Sequence, residues 1–242
     1  MELFVLKIEK KQEGKMTSLF PVLLKIDNLY FLVDCGYEDD YTTIETELST
    51  YGLTIKDLTG VIITHDDIDH LGSLKLIKDA NPNLQVYCGQ HEQDSVAGLV
   101  KSERLVQAEQ SLDSMPEEYK PWALSFIEQL KNIKRVKVDK TLADGDSFEN
   151  EITIVHTPGH TAGHISLFHA ESKTLIAGDA IVFENGAFDI ANPAFTLDIE
   201  ATLKSVKKIK ALAPLTIICY HGGIVNVDVD NKLAGLIEKY SS

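Results

Sequence analysis

The sequence contains no long apolar run: nothing in its 242 residues approaches the roughly 20 consecutive apolar side chains that a bilayer-spanning helix needs. It is also short of positive charge. Against 37 Asp and Glu there are 23 Lys and Arg, a formal net charge of −14 at pH 7. That balance lacks the cationic face that nucleic acid or an anionic membrane demands, so neither is expected as a partner. Cysteine is scarce, and Cys35, Cys88 and Cys219 lie far apart in apolar, strand-like stretches. Such thiols form no disulfide framework and read as buried and reduced, which fits the cytoplasm. The start, Met1 to Ile8, alternates and carries charge, the pattern of a strand and not of a signal peptide. Low-complexity linkers, internal repeats and composition breaks are missing too. One domain over residues 1–242 is the simplest partition, a size that layered α/β domains reach as single units.

What is present is a series of short strands. The pattern predicts strands at Leu3–Ile8, Pro21–Ile26 and Tyr30–Asp34, with Asp27-Asn28 as turn chemistry between the last two. Helical spacing follows over Tyr41–Leu48. Val61-Ile62-Ile63 reads as a strand buried on both faces, Leu71–Lys78 as a helix and Leu84–Cys88 as a strand, together a βαβ unit. Residues 91–134 are polar and helical in texture, including Glu117–Leu130 after Pro116, and read as a helical insertion. Strands are expected again at Arg135–Val138, Ile152–His156, His164–His169, Thr174–Ala177 and Leu215–Cys219. Asp198 is placed to cap a helix running to about Leu212, and Val227–Tyr240 closes the chain as an amphipathic helix.

Four polar features each follow a predicted strand. Val61-Ile62-Ile63-Thr64 runs into His65-Asp66-Asp67-Ile68-Asp69-His70, and so many polar groups beside a buried strand are costly unless something binds them. Positions 65, 67 and 69 of an extended loop converge on one side, and imidazole with carboxylate suits zinc, manganese or iron. The alternative is a solvated acidic turn with Asp66 or Asp67 capping the next helix. Thr157-Pro158-Gly159-His160-Thr161-Ala162-Gly163-His164 joins two strands, and its glycines let the backbone bend around His160. Ala177-Gly178-Asp179 puts a carboxylate at a strand end, where an unpaired buried charge is expensive. Ile217-Ile218-Cys219-Tyr220 ends at His221-Gly222-Gly223. Singly, each has a dull explanation as a turn, a cap or a core histidine.

In this order they resemble the metallo-β-lactamase fold superfamily over essentially the whole chain. Its signature is a His-x-His-x-Asp-His loop, then Gly-His, then an Asp after a strand, then a late His. The corresponding residues are His65, Asp67, Asp69 and His70, then His160, Asp179 and His221. Val33-Asp34-Cys35-Gly36 matches the family's early Asp-x-Gly turn, and the Thr157–His164 segment is similar to that of the glyoxalase and lactonase branches. The resemblance implies an α/β fold, a four-layer αββα sandwich with two divalent metal ions at one rim between the sheets. It assigns His65, Asp67 and His160 to one site and Asp69, His70 and His221 to the other, with Asp179 bridging. It further implies hydrolysis of a small-molecule ester, lactone or thioester by a metal-bridging hydroxide, with Asp69 as proton acceptor.

One position departs from the signature: Asp67 stands where the family has histidine. A carboxylate there removes one unit of positive charge from the site, which implies a weaker Lewis acid. It also tilts the preference from zinc, the first expectation, toward manganese or iron. The same substitution keeps open an iron-dependent redox enzyme, and a non-catalytic metal-binding module is the other alternative. His164 reads as support behind the site, and His91, His156 and His169 as structural or exposed. Tyr37 and Tyr220 flank site motifs. The loop Val182–Phe195 and the insertion 91–134 are candidate pocket walls.

Overall fold

Strands that read as apolar at every position are covered on both faces, and the arrangement of the cores shows by what. A computed structural model describes residues 1–12 and 15–241. The chain begins with β1 (Glu2–Val5), the hairpin β2 (Ile8–Gln12) and β3 (Lys15–Leu19), then β4 (Val22–Ile26) and β5 (Leu29–Val33). Next come α1 (Tyr41–Ser49), β6 (Gly60–Ile63), the short α2 (Ile68–Leu71), α3 (Leu74–Ala80) and β7 (Gln85–Gly89). Three helices follow without a strand: α4 (Gln93–Val96), α5 (Glu103–Ser111) and α6 (Lys120–Asn132). The second half contains β8 (Lys140–Leu142), β9 (Ser147–Phe148), β10 (Ile152–His156), β11 (Ile165–His169), β12 (Thr174–Gly178), and the hairpin β13 (Val182–Glu184) and β14 (Ala187–Asp189). It ends with α7 (Ile199–Ala211), β15 (Thr216–Cys219), β16 (Gly223–Val225) and α8 (Val229–Tyr240).

Two six-stranded sheets result, ordered β1-β4-β5-β6-β7-β8 and β16-β15-β12-β11-β10-β9. Side-chain alternation then sorts each strand between two cores. In β6, Val61 and Ile63 join Ile44, Leu48, Leu74 and Ile77 of α1 and α3, whereas Ile62 faces Ile154 and Ile165 of the other sheet. In β15, Ile217 and Cys219 pack with Val206, Ile209, Leu233 and Leu236 of α7 and α8, and Ile218 turns back to the inter-sheet core. Helices, sheet, sheet, helices is the expected αββα sandwich. Each fully buried Val, Leu or Ile in these layers stabilises it by about 1.5–3 kcal/mol.

Some expectations fail locally. Arg135–Val138 is not a strand, although Val136 and Val138 are buried. The Asp139 carboxylate accepts the Val86 amide proton at 3.0 Å, so the ladder to β7 starts only at Lys140. The expected strand Leu3–Ile8 divides into β1 and β2, with the Leu6 amide turned to the Pro21 carbonyl at 2.9 Å. The expected helix Leu71–Lys78 is two, α2 and α3, and the loop Val182–Phe195 contains the β13–β14 hairpin. No helix among the described residues is long and apolar enough to cross a membrane.

Candidate metal centre

Parallel pairing of β5 with β6 and of β12 with β15 brings their carboxyl ends to one rim. β10, two antiparallel steps from β12, ends there as well. Asp34 follows β5, the His65–His70 loop follows β6, His160 follows β10, Asp179 follows β12 and His221 follows β15. All seven expected ligand residues therefore meet at one place. His65, Asp67 and His160 can present ligand atoms to one point, as can Asp69, His70 and His221, and also His65, His70 and Asp179.

The distances between ligand atoms are those of groups sharing a small space. His65 Nε2 lies 3.5 Å from Asp67 Oδ2, and His160 Nε2 lies 3.0 Å from the same oxygen and 3.5 Å from Asp179 Oδ2. His70 Nε2 is 3.4 Å from Asp179 Oδ1; His221 Nε2 is 3.2 Å from Asp69 Oδ2 and 3.4 Å from Asp179 Oδ2. Asp179 thus stands between the two groups.

Hydrogen bonds behind the site orient the rings. Asp34, in the left-handed region at φ 59°, is wholly buried; its Oδ1 accepts the Thr64 amide and its Oδ2 accepts the Thr64 hydroxyl, both at 2.8 Å. The Thr64 hydroxyl proton being committed to Asp34, its oxygen accepts from His65 Nδ1 at 3.0 Å. His70 Nδ1 likewise donates to Asp34 Oδ2 at 2.8 Å. Both rings therefore turn Nε2 toward the shared space, and both Nε2 atoms are buried without a hydrogen-bond partner, as is Asp179 Oδ1. Buried polar atoms are rarely left so, and an arrangement of orphaned nitrogens facing carboxylates fits a bound cation. The donor set, four imidazoles and three carboxylates, suits zinc, manganese or iron.

Electrostatics agree. Burial pulls the His70 imidazole down, but Asp179, Asp34 and Asp69 outweigh it and hold it well above the usual histidine range. His221 is pushed up to about 10, burial again being overcome by Asp179 and Asp69. Asp179 is held well below the ordinary carboxylate range because His221 and His70 override its burial. His65 is lowered, first by burial and then by its neighbour His70.

Two residues at the site were invisible in the sequence reading. Arg104 of α5, only 2% exposed, donates from Nε to Asp67 Oδ1 at 3.0 Å and from Nη2 to Oδ2 at 2.7 Å. Arg104 Nη2 also lies 3.3 Å from His160 Nε2. Arg135 pairs with Asp66, which is therefore a buried anchor of the loop and not part of a solvated turn. Arg104 and Arg135 are the only arginines in the chain, and they pair with consecutive aspartates of the ligand loop. The available signal was an aspartate expected to be buried and two arginines bracketing the helical segment.

His164 is support, not ligand: its Nε2 accepts the Asp179 amide at 3.0 Å, and its Nδ1 donates to Thr157 Oγ1 at 2.8 Å. Burial, with His65 and His160 nearby, holds it well below the usual range, hence neutral. Tyr220 donates to the Asp69 carbonyl at 2.6 Å. His91 and His156 pair outside the ligand groups, with ring centroids 5.2 Å apart. His169 lies at the far end of β11 beside Glu151 and Glu171. The site opens on a cleft of about 470 Å³ walled by Tyr37, Ile68, Trp122, Phe126, Val182 and Phe195. Both expected walls, the helical segment and the loop after Asp179, contribute to it. An adjoining depression of about 590 Å³ contains none of the ligand residues.

The family model for the metallo-beta-lactamase superfamily matches residues 20–221. A probable metallo-hydrolase of Bacillus subtilis, YflN, is 26% identical over 222 residues, covering 82% of this chain and 81% of its own. The hydroxyacylglutathione hydrolase GloC of Haemophilus influenzae is 24% identical over 180 residues, covering 73% of this chain and 74% of its own. Among solved structures, a metallo-beta-lactamase family protein of Thermus thermophilus superposes with a TM-score of 0.72 at 20% identity, over 99% of this chain and 79% of that one. With that match over most of its length, on a sandwich whose rim gathers the signature residues, the chain belongs to the metallo-beta-lactamase superfamily.

Proposed function

We propose that this protein is a cytoplasmic hydrolase that binds two divalent metal ions and cleaves a small-molecule ester, lactone or thioester. The observation that carries the reading is the convergence of four imidazoles and three carboxylates, with orphaned nitrogens, at the floor of an aromatic cleft. His65, Asp67 and His160 would hold one ion; Asp69, His70 and His221 the other; Asp179 is placed for both. Bound there, such ions supply Lewis-acid polarisation of a substrate oxygen and activation of water near neutral pH. Zinc is the ion we favour, with manganese and iron as the alternatives. The rival redox reading drew on the unopposed carboxylate at 67, and Arg104 weakens it by neutralising that carboxylate.

The chain's own residues divide the remaining work. Asp69, whose side chain is 16% exposed at the cleft floor, is the proton acceptor. Trp122 and Phe126 stack at 5.4 Å between centroids, and Phe195 meets Phe126 at 5.8 Å, forming an apolar wall for the acyl part of a substrate. A relative named for hydrolysis of hydroxyacylglutathione and another named as a probable metallo-hydrolase support the choice of reaction. The net charge of −14 supports a small substrate over nucleic acid or membrane.

The test is chelator-stripped protein reloaded with Zn²⁺, Mn²⁺ or Fe²⁺ and assayed on a panel of esters, lactones and thioesters. At least one class should be turned over in a metal-dependent way, and Asp179→Ala should lower kcat/KM by more than about 100-fold. Ion-loaded wild-type protein that hydrolyses nothing in the panel overturns the reading. An Asp179→Ala protein with full activity and both ions overturns the bridging role.

A further inference from the structure

We infer that Arg104 is a built-in counter-cation for Asp67, so that the two halves of the centre bind divalent ions with unequal strength: Asp69, His70 and His221 tightly, and His65, Asp67 and His160 weakly. This rests on the metal-binding part of the proposed function and is independent of any substrate.

The asymmetry is visible in who pairs with whom. In the first group, Asp67 is gripped by the guanidinium through both oxygens, at 3.0 Å from Nε to Oδ1 and 2.7 Å from Nη2 to Oδ2. His160 Nε2 hydrogen-bonds the same carboxylate at 3.0 Å and lies 3.3 Å from Nη2. Two of the three ligand atoms are thus in contact with a fixed positive charge. In the second group Asp69 faces only imidazoles among the described residues, as does Asp179, which stands between the two groups; no Lys or Arg pairs with either. Asp179 being shared, the group whose own carboxylate is unopposed attracts a dication more strongly than the one whose own carboxylate is already neutralised.

Arg104 is held in place from all sides, so the pairing is not an accident of a long side chain. It follows the helix cap of α5, where Ser102 Oγ accepts the Leu105 amide at 3.1 Å. Its Nη1 donates to Gln107 Oε1 at 2.6 Å, and its guanidinium stands 5.4 Å from the Phe195 ring centroid. The fork geometry and permanent charge are properties of arginine that lysine does not share. His65 Nε2, the third ligand atom of this group, is buried and has no hydrogen-bond partner. Asp67 and Arg104 together carry the formal charge of the neutral histidine found at this position in the family. The pair thereby cancels the tilt toward harder ions that Asp67 alone implies. The cation comes from the helical segment that also walls the cleft, which ties ion binding at the first group to the seating of α5.

The experiment is ion binding to the full chain after chelator treatment: Mn²⁺ followed by the EPR signal of free ion, and Zn²⁺ by competition with a chelating dye. Wild-type protein should fill in two separate steps. His221→Ala should remove the tight step and His65→Ala the weak one. Arg104→Gln keeps a hydrogen-bond donor but removes the charge, and should tighten the weak step at least about tenfold. Arg104→Lys keeps a positive charge but not the fork, and should tighten that step by less than Arg104→Gln does. One indistinguishable class of sites in the wild type overturns the inference, as does Arg104→Gln with an unchanged or weaker first site. The wild-type and histidine arms stand even if Arg104→Gln does not fold. A silent hydrolysis panel would leave these binding steps untouched, so the two proposals fail separately.

Discussion

Asp34 touches none of the cleft, yet it sets the direction of two ligand rings. One oxygen accepts from both His70 and the Thr64 hydroxyl, and through that hydroxyl it fixes His65 as well. Asp34→Asn preserves the size and tolerates the left-handed backbone at φ 59°, but it loses the charge that both donors use. We expect metal affinity to fall about 10–100-fold with little change in fold, read by equilibrium dialysis beside far-ultraviolet circular dichroism. Asp34 was legible because it sits in a short motif, and so were the seven candidate ligand residues, whose order along the chain is itself the signal. Arg104 was not, because a partner 37 residues from Asp67 and on another element leaves no local pattern. Only the argument that a buried carboxylate needs a cation could have pointed to it.

At the scale of elements, the site depends on loops pinned at strand ends. The Thr157–His164 turn is held by the first turns of α7: the Asp198 amide donates to the Gly159 carbonyl at 2.9 Å, and Ser205 Oγ to the Pro158 carbonyl at 2.7 Å. Gly159 has φ +135°, and a Cβ there would sit 2.2 Å from Thr202 Oγ1 and 2.3 Å from the Thr202 amide nitrogen. Backbone cannot rotate away as a side chain can. Gly159→Ala should therefore destabilise the apo protein by about 2–4 kcal/mol and loosen His160, seen in urea unfolding and in weaker ion binding. Buried strands such as β6 and β15 were readable from continuous apolar runs. The hairpins β2–β3 and β13–β14 were not, since strands of three to five residues in mixed sequence present too short a period to detect. Arg135–Val138 misled for a different reason: its valines are buried, but the β7 amide beside it, that of Val86, is taken by the Asp139 carboxylate.

For the whole molecule, stability as a function of pH is the property that sums these local choices. Glu92, 3% exposed at the base of the helical segment, accepts hydrogen bonds from Thr161 and, at 3.2 Å, from Ser95. Burial, with Asp66 and Glu103 adding repulsion and Thr161 opposing, raises it from 4.5 to about 7. The folded state then holds this proton more tightly than the unfolded chain does. Where the native state binds more protons, stability falls as pH rises. The contribution is therefore complete below about pH 4.5 and lost as pH climbs through about 7. Glu92→Gln keeps the shape and cannot ionise, so it removes this slope alone. The variant's stability relative to wild type should grow by about 2–3 kcal/mol between pH 5 and pH 8, measured by urea unfolding with chelator present. A constant offset across that range would mean that Glu92 is ionised in the folded protein, with a positive partner that the present arrangement does not contain. The expected slope would instead place a neutral carboxylic acid between Ser95 of the helical segment and Thr161, the residue that follows His160.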